Sequence, residues 1–568
     1  MCGITGILSY AGPVNSDELE RFTNALAHRG PDGWGTYLDH DLGLGHRRLA
    51  ILDLTDSGKC PMRYTAPGGG EFWITFNGEI YNFLELRSEL EKMGHQFQTQ
   101  TDTEVIAAAY SQWGESCQLR FNGMWAFAIW QPLHRSLFLS RDRFGIKPLY
   151  YSNKGNRFTF ASELKAFLVL DGFSPMLEEE AARQFLANAT AYDGTSAITA
   201  LSGVYRLPGG HCMTVFADGQ PQISKWWETL DHIPIVPGDG KAQIDGFREL
   251  FSDAVRVRMR SDVPVGTCLS GGVDSSAVAS TMAWLQRNGK GLERCSENWQ
   301  QTFVATFPGT PVDERPFAEE VVRHINAKPH YWQFDGKSAV ENIVDSVWAL
   351  DDLAGAPAVP VWSIYREMRR NNVVVSLDGH GGDELLGGYA SYLDVALDHL
   401  NNRLYQDFHY THMPAILRNY DRCSMAHGIE VRMPLMDWRL VTYSFGLSAE
   451  KKIGRGFTKL ILREAMQGIM PEHIRTRRSK VGFASPLIEW YNGDMAPLIR
   501  TLVNHHLWLA SPYWKGADLR ALVLSKTNDR SWTMADWDSA SRLWSFFCIV
   551  IWQILFIEQN PGALYEID

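Results

Sequence analysis

Cysteine is sparse in this chain: eight in 568 residues, scattered, with no C-x-x-C pair. That argues against a zinc ribbon or a disulfide scaffold and makes a reducing cytoplasm the expected compartment. Positive charge is also short. Lys and Arg number 54 against 65 Asp and Glu, a net charge of −11 with pI near 5.9, so neither nucleic acid nor an anionic membrane is expected as a partner. No basic-then-apolar signal region opens the sequence,. The apolar run Phe546 to Ile557 is interrupted by Gln553 and reads as too short to cross a bilayer, hence as a buried or interface helix,. The common phosphate loop, G-x-x-x-x-G-K-[ST], is absent,. What remains is an ordinary globular composition, 45% apolar and 21% charged, with room for two to four domains,.

The loop Leu269-Ser270-Gly271-Gly272-Val273-Asp274-Ser275-Ser276 stands out. Val263 to Cys268 before it reads as a short buried strand, and a helical run is expected from Ala277. A Ser/Gly loop there offers backbone N–H groups at a helix N-terminus, where the macrodipole favours an anion. Asp274 is out of place in a phosphate cradle unless a cation lies between carboxylate and phosphate. The loop therefore reads as a nucleotide phosphate site with Mg2+, or, taken alone, as a Ser/Gly turn capping a helix.

At the other end the chain starts Met1-Cys2-Gly3-Ile4. Removal of Met1 would leave Cys2 with a free α-amine, whose reference pKa of about 7.7–8.0 suits it to serve as base for its own thiol. A Gly/Pro turn, His28-Arg29-Gly30-Pro31-Asp32-Gly33, follows, and the Arg47-Arg48 pair reads as leading into an alternating apolar strand, Leu49 to Asp53. The β-rich run from Trp73 is expected to stop at Asn77-Gly78, a strong turn signal,. The same pair, an amide beside an unhindered glycine N–H, also suits an oxyanion.

Cys2-Gly3-Ile4, the HRGPD turn, Arg48, Asn77-Gly78-Glu79-Ile80-Tyr81-Asn82, Thr101-Asp102-Thr103-Glu104, Arg141 to Tyr150 and Ala161-Ser162-Glu163 come in one order and spacing. Together they resemble the glutaminase domain of class II, N-terminal nucleophile, glutamine amidotransferases. The resemblance implies a four-layer αββα sandwich in which Cys2 attacks the glutamine amide and Asn77 and Gly78 form the oxyanion hole. It implies further that Arg48 holds the substrate α-carboxylate, a bidentate task suited to guanidinium, that Asp102 with Glu79 holds the α-ammonium, and that Ile51 and Leu52 complete the glutamine pocket. The expected domain spans 2–215.

Pro234, Pro237, Gly238 and Gly240 cluster without apolar periodicity, which marks 216–241 as a linker,. After it helix and strand alternate. Phe247 to Arg258 reads as helix, Thr302 to Thr306 as strand, Phe317, Val321 and Ile325 recur at helical spacing, Val344 to Leu350 and Trp362 to Met368 read as helices, and Val373 to Leu377 reads as a buried parallel strand,. That order predicts a doubly wound parallel sheet with ligands at the carboxyl ends of its strands. The loop after Leu377, from Asp378 through Gly379, His380 and Asp383 to Tyr389, should then face the Ser270 loop and bring Asp274 and Asp383 to one Mg2+. Tyr420 to Pro434 and Arg477 to Phe483 read, taken alone, as charged surface.

SGGVDSS, GDELLGGY, SMAHGIEVRMP and the SKVGF lysine make this half similar to the ATP-pyrophosphatase synthetase domain of glutamine-hydrolysing asparagine synthetases, over 242–560 with extra C-terminal helices. The resemblance implies ATP and Mg2+ as cofactors. It places ATP at Cys268, Leu269, Ser270, Gly271, Gly272, Asp274, Ser275, Ser276, Ala305, Asp378, Gly379 and Lys480. The metal would lie on Asp274 and Asp383, and Lys480 would stabilise charge at the α-phosphate. Glutamine would supply ammonia, through an internal channel, to an acyl-adenylate; a homodimer is compatible with it. The sequence departs at Asp378-Gly379-His380-Gly381, where family members that use aspartate usually read Ser-Gly-Glu/Asp-Gly. A neutral His380 could take the proton from attacking ammonia. Asp378 is expected to add negative charge where the acceptor or AMP lies, which sets aspartate against a different carboxylate, such as a sugar uronic acid or a natural-product acid.

Overall fold

The computed structural model describes residues 1–216, 219–289, 292–308, 313–334, 336–479 and 485–565. The N-terminal half is built from strands β1 (Gly3–Ser9), β2 (Gly33–Asp39), β3 (Leu42–Arg48), β4 (Met62–Thr65), β5 (Glu71–Ile80), β6 (Gly123–Gln131), β7 (Ser136–Arg141), β8 (Tyr150–Lys154), β9 (Arg157–Ala161), β10 (Tyr205–Arg206), β11 (His211–Phe216) and β12 (Gln222–Lys225). They form two antiparallel sheets, ordered β10-β8-β9-β1-β3-β2 and β12-β11-β7-β6-β5-β4. Ile4, Leu8, Leu42 and Leu44 of the first pack on Ala126, Ala128, Trp130, Leu137 and Leu139 of the second, a dry layer between the sheets,. Helix Ser16–Asn24 covers the first sheet and helix Asp102–Trp113 the second, which completes the αββα sandwich.

Two local expectations fail here. The β-rich run does not turn at Asn77-Gly78. β5 continues to Ile80, because β6 pairs with it through Gly78↔Trp125 and Ile80↔Gly123. Arg48 ends β3 rather than opening a strand, since β3 is held between β1 and β2. Within 216–241, β12 pairs with β11 and Trp227 is buried, so that stretch is partly folded onto the N-terminal sheet.

The second half carries β13 (Val265–Cys268), β14 (Gln301–Thr306), β15 (Lys328–Gln333), β16 (Val375–Leu377) and β17 (Glu430–Arg432), all parallel, in the order β15-β14-β13-β16-β17. The order runs outward in both directions from β13, the switch point of a doubly wound sheet. Helices Val273–Arg287, Arg315–Ile325, Ile343–Leu350 and Val359–Arg370 fall where the apolar periodicity places them. The first starts at Val273, not Ala277, so Asp274, Ser275 and Ser276 sit in its first turn with Gly272 as cap.

The C-terminal apolar run lies in a 20-residue helix, Trp537–Phe556. By length and composition that helix could cross a membrane, yet 72% of its apolar window is buried inside the protein. Burial, not shortness, is what marks it as a core helix. Tyr420 to Pro434 is likewise no solvated surface: Asp421, Arg422, Glu430 and Arg432 are buried at the junction of the two halves.

Candidate active sites

β1 begins at Gly3, which sets Cys2 at the head of a central strand, beside the end of β3. The Cys2 backbone N–H donates to Asn77 Oδ1 at 3.0 Å. That bond fixes which end of the amide faces Cys2, and leaves Nδ2 buried with no hydrogen-bond partner. A buried donor without an acceptor is costly unless a ligand supplies one, and an amide N–H beside a nucleophile is what a developing oxyanion requires. Gly78 follows because a Cβ there would stand 2.1 Å from the Met124 carbonyl oxygen. Burial pushes the Cys2 thiol pKa up, against the N-terminal ammonium, a bond to the Leu49 carbonyl and the Arg48 charge. At rest the group is a thiol and needs a base to attack.

Arg48 is anchored by two carbonyls, Nη1 to Thr55 at 2.7 Å and Nη2 to Asp53, and Gly58 makes room for it, since a Cβ there would lie 2.2 Å from Nη2. Ile51 and Leu52 are buried just beyond it. Asp102 opens helix Asp102–Trp113 and accepts the Ile80 N–H at 2.8 Å. Burial lifts its carboxyl to about 6, helped by the Glu430 charge and opposed by the Ile80 bond. Burial, with Glu430 and Asp102, also raises Glu79, while Arg432 lowers it from 3.5 Å. Cys2, Arg48 and Asp102 all lie near enough to the buried Cys60 thiol to act on it electrostatically.

The loops after β13 and β16 lie side by side at the carboxyl edge of the parallel sheet. A Cβ on Gly379 would meet the Asp274 carbonyl carbon and Ser275 N at 2.6 Å, and one on Gly382 would meet Asp274 Oδ1 at 2.6 Å. Only glycine permits this approach. Cys268, Leu269, Ser270, Gly272, Asp274, Ser275, Ala305, Asp378, Gly379, His380 and Asp383 all border one cavity of about 650 Å3. Two expected site residues do not. Gly271, at φ 75°, is pressed on Phe317 and Ala318, and Ser276 is fully buried in the helix. Lys480 lies outside the described residues.

Asp274 and Asp383 converge on one cation. The Lys459 ammonium bonds Asp274 Oδ2 and stands 2.7 Å from Asp383 Oδ1. Two carboxylates gathered around a positive charge are a donor set suited to a hard cation. Lys459 carries no motif signal in the sequence. Arg477, expected as charged surface, is instead buried and donates to the Gly271 carbonyl at 3.1 Å and to Glu314 at 2.7 Å over the Phe317 ring.

Asp378 corrects an expectation. Its Oδ1 accepts from Cys268 N at 3.1 Å and Ser376 Oγ at 2.5 Å, and its Oδ2 from the Tyr365 hydroxyl at 2.7 Å. The carboxylate is 1% exposed and turned into the root of the sheet, so its charge is satisfied by donors and not presented to an acceptor. His380 does face the cavity. Its Nδ1 has no hydrogen-bond partner, and the nearest carboxylate, Asp378 Oδ2, is 4.0 Å away. Burial lowers the imidazole pKa against the pull of Asp378 and Asp383, leaving it neutral and able to accept a proton at neutral pH.

Comparison with known proteins agrees with this geometry. A glutamine amidotransferase domain model matches residues 1–227, and an asparagine synthase model matches 246–397 and 394–553. Asparagine synthetase [glutamine-hydrolyzing] 1 of Bacillus subtilis is 28% identical over 99% of this chain and 98% of its own length. Asparagine synthetase [glutamine-hydrolyzing] 3 of the same organism is 29% identical over 84% and 86%. A fungal protein named amidase chry2, from Gibberella zeae, is 29% identical over 69% of this chain and 60% of its own. A solved glutamine phosphoribosylpyrophosphate amidotransferase from B. subtilis aligns with 60% of this chain and 82% of that one, at 17% identity and a TM-score of 0.31, too slight a likeness to argue from. The chain belongs to the asparagine synthase family, as a glutamine-hydrolysing, asparagine synthetase-like carbon–nitrogen ligase.

Proposed function

We propose that the protein converts aspartate to asparagine, using ATP and ammonia from glutamine, with AMP, pyrophosphate and glutamate as the other products. The observation that carries the synthetase half is the convergence of Asp274 and Asp383, from two glycine-rich loops, at the carboxyl edge of β13 and β16. In the glutaminase half Cys2 attacks the amide carbon. Asn77 Nδ2 and the Gly78 N–H receive the oxyanion, Arg48 orients the α-carboxylate and Asp102 the α-ammonium. The Cys2 α-amine, freed by loss of Met1, takes the thiol proton and passes it to the departing ammonia.

In the synthetase half Asp274 and Asp383 would hold Mg2+, which would supply positive charge to the pyrophosphate leaving group. Ser270, Gly272 and Ser275 cradle phosphate oxygens, and Lys480 offsets charge at the α-phosphate. The acceptor carboxylate attacks the α-phosphorus, and ammonia then displaces AMP from the acyl-adenylate. His380 accepts the proton ammonia sheds. Glu384, buried in the cavity wall, and the guanidinium of Arg478 supply the opposite charges that a zwitterionic amino acid needs.

A second reading keeps this chemistry but replaces aspartate with another carboxylic acid. It is favoured by the apolar and aromatic part of the same wall, Leu393, Ile416, Tyr389 and Tyr420. Pyrophosphate release from ATP with glutamine and a panel of acids separates the two. Turnover with L-aspartate supports the first, activity confined to other acids supports the second, and no pyrophosphate with any acid defeats both.

A further inference from the structure

Lys459 occupies the point where the two candidate metal carboxylates meet, and its surroundings hold it there. Its backbone is left-handed, φ 54° and ψ 35°, at the start of helix Leu460–Ala465, and its N–H donates to the Leu386 carbonyl at 3.2 Å. The side chain is 6% exposed. Its stem passes over Gly388, where a Cβ would lie 2.1 Å from Lys459 Cε and 1.9 Å from Asp383 Oδ1. The GGY end of the second loop is thus shaped to admit a lysine stem. The ammonium bonds Asp274 and approaches Asp383 to 2.7 Å, so one residue spans both loops.

An ammonium and a divalent cation cannot share that position without strong repulsion. With Lys459 in place, its ammonium offsets part of the charge of the two carboxylates and so weakens their attraction for a free metal ion,. Incoming triphosphate alters the balance, because its oxygens give the ammonium another anionic partner within a short swing of the side chain. We propose that Lys459 is an internal countercation: it closes the Asp274–Asp383 pair to free Mg2+ and yields it only when nucleotide phosphate arrives to receive the ammonium. Metal and nucleotide then enter together, and Lys459 becomes a pyrophosphate-binding residue. This rests on the proposed assignment of the two loops to Mg2+–ATP.

The test uses Mn2+ as probe, with free Mn2+ followed by electron paramagnetic resonance in the full-length wild type, Lys459→Met and Lys459→Arg, all without nucleotide. Lys459→Met should gain one Mn2+ site at least about tenfold tighter than any in the wild type, while Lys459→Arg, which keeps the charge, should not. ATP binding in EDTA should weaken in Lys459→Met. Equal Mn2+ affinity in wild type and Lys459→Met overturns the inference and leaves the metal assignment standing. If ATP adds no protein-bound Mn2+ in any of the three, the metal assignment fails and the inference with it. Should Lys459→Met fail to fold, Lys459→Gln, which also removes the charge, must show the same gain, and its absence overturns the proposal.

Discussion

Asn77 divides its amide between two tasks: Oδ1 holds the Cys2 backbone and Nδ2 is kept buried and unbonded. Asn77→Ala should lower glutamine hydrolysis by about 10²–10³ with an unchanged far-UV circular dichroism spectrum; a loss of only a few fold would remove the oxyanion role. Asp102 gives a pH signature. Its carboxyl, lifted to about 6 by burial, is neutral below that pH and then has no charge for the substrate ammonium. kcat/KM for glutamine should therefore fall as pH drops through about 6 and level off above it. The Asp102→Asn variant should lose this inflection along with most of its activity, and an unaltered inflection would assign it to another group. Residue scale is also where the sequence misled about Asp378. Read along the chain it is an added charge in the acceptor loop, but Tyr365, thirteen positions earlier in sequence, and the Cys268 N–H on the neighbouring strand absorb it. Partners that distant leave no local pattern to read.

Elements were legible where periodicity was clean and where glycines had one reason to be there. The parallel strands and their helices in the second half follow from apolar runs and helical spacing, and the SGG and GDELLGG loops fall at adjacent strand ends, where a doubly wound sheet must put them. Asn77-Gly78 was misread because a turn signal is local, whereas pairing with β6 is not,. Lys459 was invisible for the same reason: one lysine before a short helix has no signature until Gly388 and the two aspartates surround it. Gly379→Ala tests the contact between loops. Its Cβ would strike backbone at Asp274 and Ser275, so the loops must part, at a cost of about 1–3 kcal/mol. Acid-dependent pyrophosphate release should collapse while glutaminase activity stays within a few fold; an intact synthetase rate would show that the loops need not touch.

At the scale of the molecule the two halves are fastened by buried charge. Asp421 takes Arg29 at 2.9 Å and Lys147 at 3.3 Å from the N-terminal half and Arg422 at 2.8 Å from its own. Asp352 pairs with Arg206 at 2.9 Å across the same junction. β17 joins both centres most directly. The Arg432 side chain reaches Glu79 in the proposed glutamine site, and its carbonyl accepts the Asp378 N–H at 2.9 Å at the base of the proposed acceptor loop. Removing one partner of such a cluster leaves the others buried and uncompensated, so Asp421→Asn should destabilise by about 3–5 kcal/mol, read as a lower Tm. Burial raises this carboxyl, but Arg29, Lys147 and Arg422 outweigh it and hold it below the ordinary range. Its contribution is therefore full at neutral pH and lost on acidification, and the variant's stability should vary less with pH on the acid side; an unchanged Tm would mean the cluster does not bind the halves together. The central claim, one molecule with two chemistries joined by ammonia, is tested most directly by amide formation in Cys2→Ala, with glutamine or with ammonium chloride as nitrogen source. The account predicts no product from glutamine and wild-type-like product from ammonium. Product from glutamine, or none from either source, would contradict it.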